Sequence, residues 1–411
     1  MKFYWLLLFL FMGLSFSHAQ NSGNVDSLLK VHSDELKILK RIHLSGYTQP
    51  QFQWTEKRGS KYPGGDFGAN INNRVSIRRS RLKVAYNASP FEWVLVTENT
   101  ERGITLHDMY ASYTFTKIGL KYTAGLFPRP FGFEQSYSTA NHEGPERARF
   151  STTLLPAEAD LGCKLSYFKL KPFTFELGVY NGNATAADID SYKDIVARIS
   201  IDKGLRIGNL SGGVSFYHGS FIQSTNYLFE TENLNGLPQY VLQDTVTNNK
   251  GSAALRQYLG ADIQYAIKSN FGLTTLRAEW VSGIQPSSAS TSDSPKSATA
   301  PNFDTYSRKF NALTTYFLHK IGKTNFQILI KYDWYDPNTD VEPENIGVAN
   351  SKLNATDIKY STLGLGINYY FKNMYIMAYY DLITNEKASN LKGFENDLKD
   401  NVFTLRTQFK F

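Results

Sequence analysis

Most of this chain alternates. Phe403, Leu405, Thr407, Phe409 and Phe411 share one side of an extended segment, and Thr404, Arg406, Gln408 and Lys410 share the other. Side chains of a strand point in turn to its two faces, so such a segment has one apolar face and one wet, basic face. The same period runs through Phe326, Ile328, Ile330, Tyr332 and Trp334, and through Leu363, Leu365, Ile367, Tyr369 and Phe371. These segments are rich in Val, Ile, Thr, Tyr and Phe and break at Gly, Asn, Pro and Lys, a pattern that predicts about sixteen strands between residue 41 and the C-terminus.

The connections sharpen the picture. Tight turns such as "NASP" at 87–90, "TKIG" at 116–119, "KLK" at 169–171 and "KN" at 372–373 alternate with long segments at 55–72, 128–157, 221–255, 286–307 and 337–356. A soluble sandwich has no reason to gather its long loops at one end. A transmembrane antiparallel barrel has short turns on the periplasmic side and long loops outside. An even strand number also leaves both termini on the periplasmic side. The expected fold class is therefore all-β: a transmembrane antiparallel β-barrel of about sixteen strands over 41–411.

The N-terminus fits that compartment. Lys2, the apolar run Phe3–Leu14 and the small residues Ser17 and Ala19, three and one before the cut, read as a cleaved secretory signal peptide over 1–19. Residues 20–40 carry Leu28, Leu29, Leu36 and Leu39 at helical spacing among charges, a short periplasmic helical segment. The single cysteine, Cys163, excludes an intramolecular disulfide. The formal charge of +7 falls to +6 once Lys2 is removed, a balance suited to acidic headgroups or an anionic solute. Export argues against nucleic acid as a partner.

Alternation also assigns the lumen. In "RRSRLKVAY", Leu82, Val84 and Tyr86 face outward, so Arg79, Arg81 and Lys83 face in, about 7 Å apart along the strand. By the same parity Lys164, Arg198, Arg256, Arg277, Lys331 and Arg406 turn inward, and so do Glu98, Asp108, Glu176, Asp262, Glu279 and Asp333. The segment 128–157 is expected to fold into the barrel. Pro128 and Pro130 stiffen its entry, Gly132 permits a sharp bend, and Phe127, Phe131 and Phe133 are placed to pin it to the wall. It would deliver Arg129, Arg147 and Arg149 as an anion filter, with Glu143 and Glu146 placed to pair with Arg147 or Arg149.

The motifs "RRSRL" at 78–82, "HDMYASYTF" at 107–115, "GLFPRPFG" at 125–132 and "PERAR" at 145–149 together resemble the phosphate-selective porin O and P family, in its branch with RPFG and PER signatures. The resemblance spans roughly 41–411. It implies an outer-membrane porin, usually a homotrimer, with an inward third loop and an arginine-lined route for small anions. It maps the basic ladder onto Arg78, Arg79 and Arg81 and the strand-four acid onto Asp108. Pro128 stands where the best-studied members carry Lys, with Arg129 beside it. The resemblance also gives Phe411 a role as the terminal aromatic that the barrel-insertion machinery recognises.

Other classes fare less well. The seven histidines are scattered singly, and neither GxSxG nor HExxH occurs. No enzyme, cofactor or metal site is expected. The alternatives kept are a general or oligosaccharide porin, for which Tyr-bearing stretches such as "NYLF" at 226–229 would supply stacking surfaces, and, behind it, an outer-membrane enzyme or a purely structural barrel. The expected partners are a small anionic solute, outer-membrane lipid and the insertion machinery.

Overall fold

The computed structural model describes residues 36–155, 157–243, 249–295 and 301–411. The signal peptide expected over 1–19 and most of segment 20–40 lie outside the described residues. Two units are distinguished, Met1–Ile42 and His43–Phe411. In the first, the described residues form one helical turn over 36–39.

The second unit is almost all strand. In chain order the strands are β1 (Ile42–Thr55), β2 (Asn73–Ala88), β3 (Phe91–Thr100), β4 (Gly103–Phe115), β5 (Leu120–Pro128), β6 (Ala159–Tyr167), β7 (Phe173–Tyr180), β8 (Asp194–Leu205), β9 (Gly208–Ile222), β10 (Leu228–Leu234), β11 (Leu237–Gln243), β12 (Ala253–Ser269), β13 (Gly272–Ser287), β14 (Thr305–Ile321), β15 (Phe326–Asp336), β16 (Tyr360–Phe371), β17 (Met374–Asn385) and β18 (Val402–Lys410). β9 pairs directly with β12, and β1 pairs with both β2 and β18. The sheet therefore closes as a sixteen-stranded antiparallel barrel, with β10 and β11 left as a hairpin outside the ring. Closure removes the edge that an open sheet would present.

Outward positions carry the apolar side chains. Ile328, Ile330, Leu363, Leu365, Leu405 and Phe409 are all exposed on the barrel exterior, a surface that suits hydrocarbon. Lumen positions on the same strands are polar and covered, such as Thr404, Arg406 and Gln408. The phase of this alternation changes at two places. Between Val96 and Thr97 the β3–β4 register shifts, pairing Val96 with Asp108 and Thr97 with Leu106. His107 is the extra residue of this bulge, and it turns inward beside Asp108. In β2 the exposed apolar residues are Val75 and Ile77 above and Leu82 below, so the consecutive Arg78 and Arg79 both reach the lumen.

Long and short connections segregate as expected, with one exception. Glu101–Arg102, on the long-loop side by parity, is a two-residue link between β3 and β4. The segment expected as a plain loop at 221–255 instead contains the β10–β11 hairpin. β10 also pairs in parallel with the start of β14. Arg308 and Tyr240 both bond Asp357 on the same rim, at 3.1 and 2.6 Å.

The ends of the barrel meet at Gly46. Its amide donates to the Phe411 carbonyl and the Phe411 amide donates back, both at 3.0 Å. A Cβ at Gly46 would lie 2.5 Å from the Phe411 ring, so this glycine is the seat of the terminal aromatic. Deleting Phe411, or making Gly46→Val, is expected to lower the fraction of chain reaching the heat-resistant folded form. Full recovery of that form in gel-shift assays of both variants would remove the role of this contact.

Candidate functional site: an arginine-rich waist

The third loop, between β5 and β6, crosses the lumen. It contains two short helices, α1 (Phe133–Ser136) and α2 (Arg149–Leu154). Phe127 and Phe131 are fully covered, Phe131 standing edge-on to Tyr217 and Tyr258 with centroids 6.2 Å away in each case. Phe133 lies under the Arg277 guanidinium, 4.9 Å from its centroid. On the far side, Glu143 takes both terminal nitrogens of Arg277, at 2.7 and 2.9 Å. Glu134 accepts hydrogen bonds from the Ala148 amide (2.9 Å) and from the Tyr316 hydroxyl.

The loop's acids then meet the cations of β2 and β18. Glu146 accepts from Arg78 side-on (2.7 and 2.8 Å), from Arg79 (3.1 Å) and from Arg406 (2.9 Å). Glu158, at the loop's end, accepts from Arg81 (2.9 Å) and Arg147 (2.6 Å) and lies 3.0 Å from His107 Nε2. His107 Nδ1 lies 2.9 Å from Asp108, and Arg81 also meets Glu98. Burial alone would raise the Glu146 carboxyl, but Arg78, Arg79 and Arg406 override it and hold it well below the usual carboxylate range. Glu158 is likewise desolvated and held low by Arg147 and Arg81. His142, buried in the same loop and near Arg147 and Arg79, has its basicity pushed well down.

Of three chambers beside the loop, two border β2. A chamber of about 530 Å³ on the long-loop side is lined by Lys61, Arg149, Tyr335 and Tyr360 among others. It shares Gly65 and Asp66 with a second chamber of about 250 Å³ along Arg74, Arg78, Arg102 and Glu98. A third, of about 350 Å³, lies below the Arg81–Glu98 pair and reaches Phe411. The void directly against Glu146 and Arg147 is about 10 Å³, room for about one water.

The expected site residues separate into groups. Arg78, Arg79, Arg81, Arg147 and Arg406 converge on the two loop acids. Asp108 joins them through His107. Lys83 lines the third chamber with no side-chain hydrogen bond or ion pair among the described residues. Arg129 is not at the waist. It continues the edge of β5 beside β6 and is fully covered, paired to Asp160 at 2.8 Å and to the Ala157 carbonyl at 2.6 Å. Its place is the loop's hinge to the wall rather than a filter. Arg149 stacks 4.1 Å over the Tyr360 ring in the outer chamber, apart from the cluster. Glu143 and Glu146 pair with wall arginines, not with Arg147 or Arg149. Sequence reasoning missed His107, Glu158 and the central place of Glu146.

A closed barrel narrowed by an inward loop defines a porin-like fold. No family model matches the chain, and no curated protein matches it in sequence. Among solved structures it is similar to Pseudomonas putida OprB, at 9% identity with 93% of this chain and 97% of that one covered and a TM-score of 0.60. It is also similar to the outer membrane channel DcaP of Acinetobacter baumannii (13% identity, 90% and 97% covered, TM-score 0.53). A third is the trimer form of OmpT, an outer membrane protein of Vibrio cholerae (10%, 90% and 99%, TM-score 0.50). At these identities the likeness is one of fold.

Proposed function

We propose that this chain is an outer-membrane porin through which small anionic solutes, phosphate or polyphosphate among them, diffuse passively. The observation that carries the reading is the convergence of Arg78, Arg79 and Arg406 on one carboxylate, Glu146. Three guanidiniums against one acid leave a local excess of positive charge around Glu146. Arginine stays charged and meets oxyanions through a planar fork, and lining charge with pore width decides passage. The chambers along Arg74, Arg78, Arg81 and Lys83 supply successive cations for an anion moving down β2. The reading includes export by the cleaved signal, insertion through the C-terminal strand ending in Phe411, residence in the outer membrane of a Gram-negative-type bacterium, and a homotrimer. The likeness to a protein described as an outer membrane channel and to another solved in a trimer form supports it.

A general or oligosaccharide porin is favoured by one observation: most lumen cations already hold a carboxylate, as in Arg198–Asp262, Lys164–Glu176 and Lys331–Asp333. Reversal potential in planar bilayers under a salt gradient separates the two. Preference for anions, reduced by added phosphate, is the expected result. A potential near zero favours the general pore.

A further inference from the structure

The third chamber has a feature foreign to a polar lumen. Strand register places Lys83 opposite Val96 and Val96 opposite Asp108. One inward row nearer the tight turns, Ala85 lies opposite Val94 and Val94 opposite Tyr110. These six residues form a tile two rows deep across β2, β3 and β4. Ala85, Val94 and Val96 are buried together with Tyr110 packed on them. Lumen faces of such barrels are polar, and nothing in barrel closure asks for valines here. The lid over the tile is loop three, where Ser138, Ala140 and Asn141 line the same space.

The charges around the tile are mostly spent. Arg81 is held by Glu98 and Glu158, Asp108 by His107, and Lys410 donates to Asn141 at 3.0 Å. Lys83 has no partner among the described residues, and it stands at the edge of the apolar row. An inorganic anion would satisfy Lys83 and make no use of the apolar wall that Val94, Val96 and Tyr110 give the chamber. A neutral sugar would leave Lys83 unused. A carboxylate on an apolar body uses both, and about 350 Å³ is within the range of small-molecule pockets.

We infer that this chamber is a binding site for organic monocarboxylates with an aromatic or branched aliphatic body, the carboxylate on Lys83 and the body against Val96, Val94 and Tyr110. This rests on the porin reading, of which it specifies a solute class. The test is direct binding of benzoate to the folded, detergent-solubilised protein by calorimetry, with cyclohexanecarboxylate, glucose and inorganic phosphate at equal ionic strength, alongside bilayer conductance. Saturable benzoate and cyclohexanecarboxylate binding is expected, weakened at least tenfold in both Lys83→Met and Val96→Asn, with phosphate binding little changed by Val96→Asn. If one variant fails to fold, the other carries the comparison, and Tyr110→Ser stands in for it. Absence of saturable benzoate binding, binding unchanged in the variants, or phosphate binding as tight as benzoate overturns the inference while conductance still upholds the porin. Binding without any conductance overturns the porin and leaves the site.

Discussion

Replacing Glu146 by Ala is expected to shift reversal potential strongly toward anions and to lower thermal stability at the same time. In the native barrel this one carboxylate receives Arg78, Arg79 and Arg406, and all but Arg78 are covered. Breaking a buried ion pair by removing one partner costs about 3–5 kcal/mol, because the remaining charge is left uncompensated. Here three charges are left. Some of that cost would be offset by salt anions drawn to the guanidiniums, which is the same event that raises anion selectivity. Glu146→Gln keeps the shape and isolates the charge, so its selectivity should move in the same direction with a smaller loss of stability. The sign of the pH dependence follows from the low carboxyl of Glu146. A depressed acid contributes stability above its unfolded pKa and loses it as pH falls through the folded value. The clamp therefore persists through mildly acid pH, and its contribution disappears only well below the ordinary carboxylate range. Selectivity of the wild type should be flat in Glu146's contribution from pH 7 to 5. Folded Glu146→Gln with unchanged reversal potential would show that the waist is not on the ion path.

The strands were legible because alternation is local. A residue's face in β18 or β15 depends on its neighbours two positions away, and the wall parity of Arg79, Arg81, Lys83 and Arg406 followed from that alone. The inward course of loop three was also legible, since Pro128, Pro130, Gly132 and the phenylalanines write its entry geometry into a few residues. What each loop charge would meet was not. Glu146 and Arg406 are 260 positions apart, and no local period tells which wall cation a loop acid will find. That is why Arg129 was expected in a filter and lies instead against Asp160. His107 escaped notice for a different reason: the bulge that turns it inward breaks the very parity used to assign the lumen. The β10–β11 hairpin did leave a signal. Asn235 and Gly236 take φ of 56° and 85°, the two left-handed positions of a type I′ turn, and Asn-Gly between Leu234 and Leu237 is its usual sequence.

Releasing the entry of loop three should open the barrel. Glu279 projects from β13 and its Oε2 accepts the amides of Phe133 and Glu134, at 2.9 and 2.6 Å. Gly132, just before them, has φ of 62°, and a Cβ there would lie 1.9 Å from Glu279 Oε1. The glycine is therefore required twice, once by its left-handed backbone and once by the close approach of the wall acid. Its own amide donates to Ser215 at 3.0 Å. Glu279→Ala would strand two covered N–H groups, each costing about 1–3 kcal/mol when left unsatisfied. Gly132→Ala reaches the same end by pushing the Glu279 carboxyl group away. Both variants are expected to show higher single-channel conductance and noisier open levels than wild type, and faster protease cleavage within 133–155. Phe131 would still hold the strand side of the loop between Tyr217 and Tyr258, so the barrel itself should keep its heat resistance. If both variants fold, conduct as wild type and resist the protease equally, then Glu279 does not hold the loop, and the aromatic anchors and the Glu143–Arg277 pair suffice to keep it across the lumen.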